Sequence, residues 1–312
     1  MCEGILLRIF LGLLHLYANV AGTLWLDPPK VVVHHGDSVS VNCSTNVTNH
    51  LLDWEKPQGT SKKTDDKKIT WTVEHLTEWG TKPFCYMIDT QYNQHKIEFN
   101  IIIYKTPDRV SISTVGHTEL MIEGGQYELQ CDIQNVAPVE FLTVSWFKGD
   151  TLVKNITFTD SIKTPVNQSS ILQISPSRDD DGVQYRCEAE LDLGPEGPQL
   201  PLTVTSEPLN ITVCYPPVSI SELHNKSVDF GYDEVLKCSS DAWPRPQYRW
   251  EYIPAPNVRT EDIDGVSLLY IDYATGLNTG TYKCTATNKL GETSQSVRVD
   301  VRSVGNTNTS YP

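Results

Sequence analysis

The sequence predicts an all-β chain of tandem β-sandwich domains, and two observations carry that prediction. Three cysteine pairs each bracket a tryptophan: Cys43–Trp54–Cys85, Cys131–Trp146–Cys187 and Cys238–Trp250–Cys284. The paired cysteines lie 42, 56 and 46 residues apart, a spacing that suits an inter-sheet disulfide in an immunoglobulin-type sandwich with the strand C tryptophan packed on the bridge. Around the cysteines the residues alternate with the period of half-buried strands, and no long segment carries a helical period. The 312 residues hold three such units, since each takes about 100.

Taken in chain order, Ile5 to Leu16 is apolar apart from Arg8, and Ala18 to Gly22 supplies small residues, so residues 1–22 read as a secretory signal. Its apolar run is too short to span a membrane. The first unit covers 23–106, with Val39, Val41 and Cys43 pointing inward. The second covers 107–213, with Tyr127, Leu129 and Cys131 alternating against Gln126, Glu128 and Gln130. The third covers 214–303, with Tyr248, Trp250 and Tyr252 alternating against Arg249 and Glu251. A polar tail, 304–312, follows. Tyr185 and Tyr282 stand two places before the second cysteine, the tyrosine-corner position, where the first unit has Pro83. Proline at Thr106-Pro107 and Tyr215-Pro216-Pro217 predicts short, stiff joints.

Secretion implies an oxidising compartment, which agrees with paired cysteines. Each bridge contributes roughly 4 kcal/mol in the chain-entropy model. Seven N-glycosylation sequons, at Asn42, Asn46, Asn155, Asn167, Asn210, Asn225 and Asn308, fit the same compartment. The expected place is extracellular: a secreted protein or the ectodomain of a cell-surface one. A net charge of −14 argues against nucleic acid and anionic membrane surfaces as partners. With Cys2 in the signal, Cys214 is left over, which predicts either a disulfide dimer through it or a buried free thiol.

No Gly-x-Ser-x-Gly elbow, P-loop, His-Glu-x-x-His or Cys-x-x-Cys occurs, so the sequence points to no enzyme and to no cofactor of its own. Asp179-Asp180-Asp181-Gly182 lacks the spacing of a calcium loop and reads as the turn entering strand F. Lys62 to Lys68 reads as a solvated loop, or alternatively as a charged collar that raises a partner's on-rate. His34-His35 reads as an exposed pair.

The first unit carries Asn42-Cys43-Ser44-Thr45, then Leu51-Leu52-Asp53-Trp54-Glu55 with Pro57, then Pro83-Phe84-Cys85-Tyr86. Ile103 to Val110 joins it to a second unit that contains Glu190-Leu191-Asp192-Leu193. On these residues the chain resembles the intercellular adhesion molecules over about its first two thirds. The third unit is similar to a general I-set module. The family's first domain has a second bridge. Here its positions hold Val47 and Asp89, and losing it loosens the tip by about 2–4 kcal/mol.

The resemblance implies that the acidic residue on strand C, Glu55, is the integrin contact, with Phe84 and Tyr86 forming its rim. The implied partner is a leukocyte β2 integrin, whose own Mg²⁺ (or Mn²⁺) would take the carboxylate oxygen. The plainer reading is that alternation turns any residue after a core tryptophan outward, as Trp250-Glu251 repeats. Two other functions remain open at this level: a homophilic or structural immunoglobulin-superfamily protein, and an immune receptor without integrin binding.

Overall fold

A computed structural model describes residues 24–116, 120–199, 201–221 and 223–303. The signal segment, the polar tail and Asn308 lie outside the described residues.

The first domain contains β1 (Leu24–Asp27), β2 (Lys30–His34), β3 (Val39–Thr45), β4 (Leu51–Glu55), β5 (Lys68–Val73), β6 (Phe84–Ile88), β7 (Gln94–Glu98) and β8 (Asn100–Tyr104). They form the sheets β1-β3-β5 and β4-β6-β7, with β2 and β8 paired in parallel. The second domain contains β9 (Arg109–Thr114), β10 (Leu120–Ile122), β11 (Tyr127–Val136), β12 (Leu142–Lys148), β13 (Thr151–Thr157), β14 (Val166–Ile174), β15 (Gln184–Leu191), β16 (Leu202–Thr205), β17 (Leu209–Asn210) and β18 (Thr212–Cys214). Its sheets are β14-β11-β9 and β13-β12-β15-β16, with β17 also on β15 and a parallel β10–β18 pair. The third contains β19 (Lys226–Asp229), β20 (Glu234–Ser239), β21 (Gln247–Glu251), β22 (Val258–Ile263), β23 (Val266–Ile271), β24 (Gly280–Asn288) and β25 (Gly291–Arg302), in the sheets β20-β23-β22 and β19-β25-β24-β21.

Each domain has its own buried cluster centred on its disulfide. The register repeats: Trp54, Trp146 and Trp250 each stand directly opposite the second cysteine, Cys85, Cys187 and Cys284. The opposing sheet decides what the indole meets. Ser170 stands opposite Cys131, and Ser267 opposite Cys238. Their hydroxyls accept the Trp146 and Trp250 N–H at 2.8 and 3.0 Å. In the first domain Ile69 holds that place opposite Cys43. The buried Trp54 N–H therefore has no partner among the described residues. Trp54 packs instead in an aromatic group with Trp71 and Phe99, at centroid distances of 5.6 and 6.4 Å.

The tyrosine corner forms in the third domain, where the Tyr282 hydroxyl donates to the Asn278 carbonyl at 3.0 Å. In the second, Ser177-Arg178-Asp179-Asp180 makes a single 3-10 turn closed by reciprocal Ser177–Asp180 bonds, ahead of Gly182 at φ +75. Burial pushes the Asp180 carboxyl up, but its ion pair with Lys148 and the Ser177 backbone N–H outweigh that and hold it below its ordinary value.

The joints are built rather than loose. Lys105 and Ala137 exchange backbone hydrogen bonds between the first and second domains, and Lys30 reaches Glu196 at 3.2 Å. At the second joint Tyr215 exchanges backbone bonds with Trp243 and donates its hydroxyl to Asp241 at 2.8 Å. Burial, then that Asp241 bond, push the Tyr215 hydroxyl up to about 12. Arg178 lies over the Tyr215 ring and grips Glu123 with two bonds of 2.9 and 2.8 Å.

Two sequence expectations change here. Cys214 is not linker: it ends β18, paired with Ile122, and is 2 % exposed. The second domain therefore runs one residue past its expected end. With no accessible sulfur, the free thiol fits the buried alternative and not the dimer. His34-His35 is not an exposed pair either. Both are half-buried near the first joint, His35 stacked on Trp79 at 4.5 Å and His34 edge-on to Tyr104 at 5.3 Å.

Candidate functional site

The sheet β4-β6-β7 of the first domain presents its outward residues in rows. Successive strand residues face opposite sides. With Leu52 and Trp54 buried, Asp53 and Glu55 face out from β4. The register sets Asp53 beside Tyr86 and Lys96, and Glu55 beside Phe84 and Glu98. The three expected site residues, Glu55, Phe84 and Tyr86, thus share one face. Glu55 is exposed and the two aromatics are half-buried. Their rings lie 6.3 Å apart, and the Lys96 ammonium sits 5.6 Å over Phe84, within cation–π range.

The two carboxylates differ in what holds them. Asp53 accepts the Tyr86 hydroxyl at 3.4 Å, the Ser61 hydroxyl at 3.3 Å and the Trp54 backbone N–H at 2.8 Å. Burial pushes the Tyr86 hydroxyl up from its ordinary value, and the Asp53 carboxylate adds to that. Glu55 takes no hydrogen bond and no ion pair from any described residue. Its counterpart in the third domain, Glu251, is bound by Arg249 at 2.7 Å and approached by Lys283 at 4.0 Å. The free carboxylate in the first domain is therefore not a property of every glutamate after a core tryptophan.

The turn after Glu55 is pinned from both sides. Lys56 donates to the Trp54 carbonyl at 3.3 Å and to Ser61. Gln58 donates to the His75 carbonyl at 2.7 Å and accepts the Thr77 N–H at 3.0 Å, while its own carbonyl takes the Trp71 indole N–H at 2.9 Å. Gly59 follows at φ +89. A Cβ there would come within 2.7 Å of Val73, the Thr72 carbonyl and the Trp71 indole. Asp53 was legible in the sequence as the second residue of the same alternating row. Lys96 and Gln58 carried no local signal, because cross-strand pairing brings them in.

The hairpin joining β6 to β7 lies at the other end of this sheet. Asp89 accepts the N–H groups of Gln91 and Asn93 at 2.8 and 2.9 Å, and His95 Nε2 lies 3.1 Å from its other oxygen. The Asn93 backbone N–H, and then His95, hold the Asp89 carboxyl down at about 2. Where the resemblance would put a bridging cysteine, a carboxylate ties the turn. Val47, at the other missing position, packs half-buried on the first core.

The sequons fall elsewhere. Asn42 lies half-buried on β3 of the opposite sheet, its Oδ1 accepting the Thr70 hydroxyl at 2.9 Å, and exposed Asn46 follows β3. Asn155, Asn167 and Asn210 are exposed on β13, β14 and β17, and Asn225 just precedes β19. The lysines of 62–68 are exposed, Lys62, Lys63 and Lys67 between β4 and β5 and Lys68 at the start of β5. Among the described residues no group of His, Cys, Asp or Glu is arranged to hold a metal.

Comparison with known proteins follows these domains. Residues 21–109 match the model for the intercellular adhesion molecule (ICAM), N-terminal domain. Residues 111–204 match the immunoglobulin I-set domain, and 216–288 a general immunoglobulin domain. The I-set match thus falls on the second domain, not on the third. Vascular cell adhesion protein 1 of Canis lupus familiaris is 22 % identical over 90 % of this chain and 38 % of its own length. Intercellular adhesion molecule 1 of Pan troglodytes is 29 % identical over 56 % of this chain and 32 % of its own. The chain therefore spans well under half the length of these relatives. In solved structures, an ICAM-5 D1–D4 ectodomain fragment superposes with a TM-score of 0.53 at 18 % identity, covering 89 % of this chain and 77 % of that one. Titin domains I67–I69 superpose at 0.55 and 18 %, covering 90 % and 99 %. At such identities the structural likeness speaks for the fold, while the N-terminal domain match and the relatives speak for the family. The chain is a row of immunoglobulin-superfamily domains whose first matches the intercellular adhesion molecule N-terminal domain.

Proposed function

We propose that this chain is a cell-adhesion ectodomain whose first domain binds a leukocyte β2 integrin through Glu55. The observation that carries the reading is the unpartnered Glu55 carboxylate on an ordered strand end, set against the ion-paired Glu251. A hard cation takes carboxylate oxygen, and Mg²⁺ in particular is commonly held by only one or two carboxylates. A free carboxylate has no internal ion pair to break before it completes the shell of an Mg²⁺ or Mn²⁺ carried by the integrin. The pinned turn at Lys56 to Gly59 keeps the strand end in place, so little ordering cost falls on binding. Phe84 and Tyr86 supply apolar area beside the carboxylate and exclude water from it. Lys96 and the lysines of 62–68 would tune the encounter rate. The chain itself contributes no metal and no catalysis to this event.

The test is adhesion of β2-integrin-bearing leukocytes to the coated protein with Mg²⁺ and with chelator. Glu55→Gln is expected to lower Mg²⁺-dependent adhesion at least tenfold, and Glu251→Gln to leave it unchanged. Full adhesion by Glu55→Gln would overturn the site. Self-adhesion of coated beads that survives chelator would favour the homophilic reading.

A further inference from the structure

Among the edge strands of the second domain, β13 is the one that stands exposed along almost its whole length. β13 pairs with β12 on one side and with no described strand on the other. All seven of its residues are exposed except half-buried Ile156, and Leu152 and Val153 are 49 % and 44 % exposed. Such a strand offers unpaired backbone groups and apolar side chains to any extended chain that approaches, and proteins normally blunt such edges. Two other edges of this chain are blunted by charge: β7 carries Lys96 and Glu98, and β22 carries Arg259, Glu261 and Asp262. β13 has a single charge, Lys154, and its ammonium is drawn over to the Ile171 carbonyl on the opposing sheet at 3.1 Å.

Between the terminal threonines Thr151 and Thr157, the other polar side chain of the edge is Asn155. It lies in mid-strand opposite Ser145, exposed, with no hydrogen bond from a described residue, and Thr157 two places on completes its sequon. Asn167, by contrast, has its Oδ1 occupied by the Asn135 N–H at 3.0 Å.

We propose that an N-linked glycan on Asn155 covers this edge and prevents a second copy of the chain from adding its own β13 there. In the modification Asn155 Nδ2 attacks the anomeric carbon of a lipid-diphosphate-linked oligosaccharide. The N–C bond forms, the C–O bond to the diphosphate breaks, and the amide proton passes to a base of the transferase. The bulky, hydrated sugar then occupies the volume an incoming strand would need. Strand addition to an exposed edge is a recurrent mode of association, so the bare edge favours pairing of two copies.

The test uses the full chain secreted from a glycosylating host. Peptide mass analysis of the natural protein is expected to find Asn155 occupied, and sedimentation to find a monomer. Thr157→Ala, which removes the sequon and keeps Asn155, is expected to give concentration-dependent dimers. Asn210→Gln, which removes a glycan elsewhere, is expected to stay monomeric. Adding Val153→Lys to Thr157→Ala puts a second charge on the edge and should restore the monomer. The proposal fails if Asn155 is unoccupied, if Thr157→Ala stays monomeric, or if Val153→Lys leaves the dimer intact.

Discussion

Trp54→Phe should cost the first domain much less stability than Trp146→Phe costs the second. Both changes shrink a buried indole, 3 % and 0 % exposed, beside a disulfide, so the truncation terms largely cancel. The hydrogen-bond terms do not. Trp146→Phe removes the 2.8 Å bond to Ser170 and leaves a buried hydroxyl unpaired, at about 1–3 kcal/mol. Trp54→Phe deletes a buried N–H that has no partner, which relieves a penalty of about the same size. The difference between the two costs is about 2–6 kcal/mol. At roughly 4–8 °C per kcal/mol for a domain of this size, the unfolding temperatures separate by about eight degrees or more. Hydrogen exchange on peptides from β6 and β15 reports each domain within the full chain. Equal losses in the two domains would refute the claim that Ile69, standing where the other domains have serine, orphans the Trp54 indole.

Three further outcomes are expected. Gly59→Ala and Gly36→Ala meet the same backbone strain, at φ +89 and +91, but only at Gly59 does a Cβ collide, so Gly59→Ala should cost about 1–3 kcal/mol more; equal unfolding temperatures would contradict this. Asp89 is held at about 2 in the folded hairpin, below its unfolded value near 3.9, so its contribution is present above about pH 4 and is lost as pH falls through 2. Amide protection of Gln91 and Asn93 should fall across that window, and Asp89→Asn should abolish the pH dependence while lowering protection at neutral pH. Cys214 should resist a bulky maleimide until the protein unfolds, and the protein should run as a monomer without reductant; rapid native labelling would contradict the burial of Cys214 at the end of β18.

Much of the fold was legible because its signals are local. Cysteine spacing, the intervening tryptophan and period-two polarity are fixed by chain geometry alone, and so is the outward direction of Glu55 once Trp54 is in the core. The resemblance to the intercellular adhesion molecules could be read from short runs such as Pro83 to Tyr86 and Glu190 to Leu193. What those runs could not carry is the state of each side chain. Trp54-Glu55 and Trp250-Glu251 look alike in sequence. Their difference lies in Arg249 and Lys283, the second of which arrives from another strand.

The sequence by itself determined three disulfide-stapled sandwiches, the outward face that holds Glu55, and the likeness of the first domain to the intercellular adhesion molecules. Only the tertiary structure decided which carboxylate is free, that Cys214 is buried at the end of β18, that Asp89 ties the hairpin, and that β13 stands open with Asn155 upon it. For Cys214, for β13 and for the Lys283 approach to Glu251 the physical reason is strand register, which brings together residues tens of positions apart and which no local pattern encodes. The Asp89 tie is local, its partners Gln91, Asn93 and His95 lying two to six residues on, but only the turn geometry aims their donors at one carboxylate.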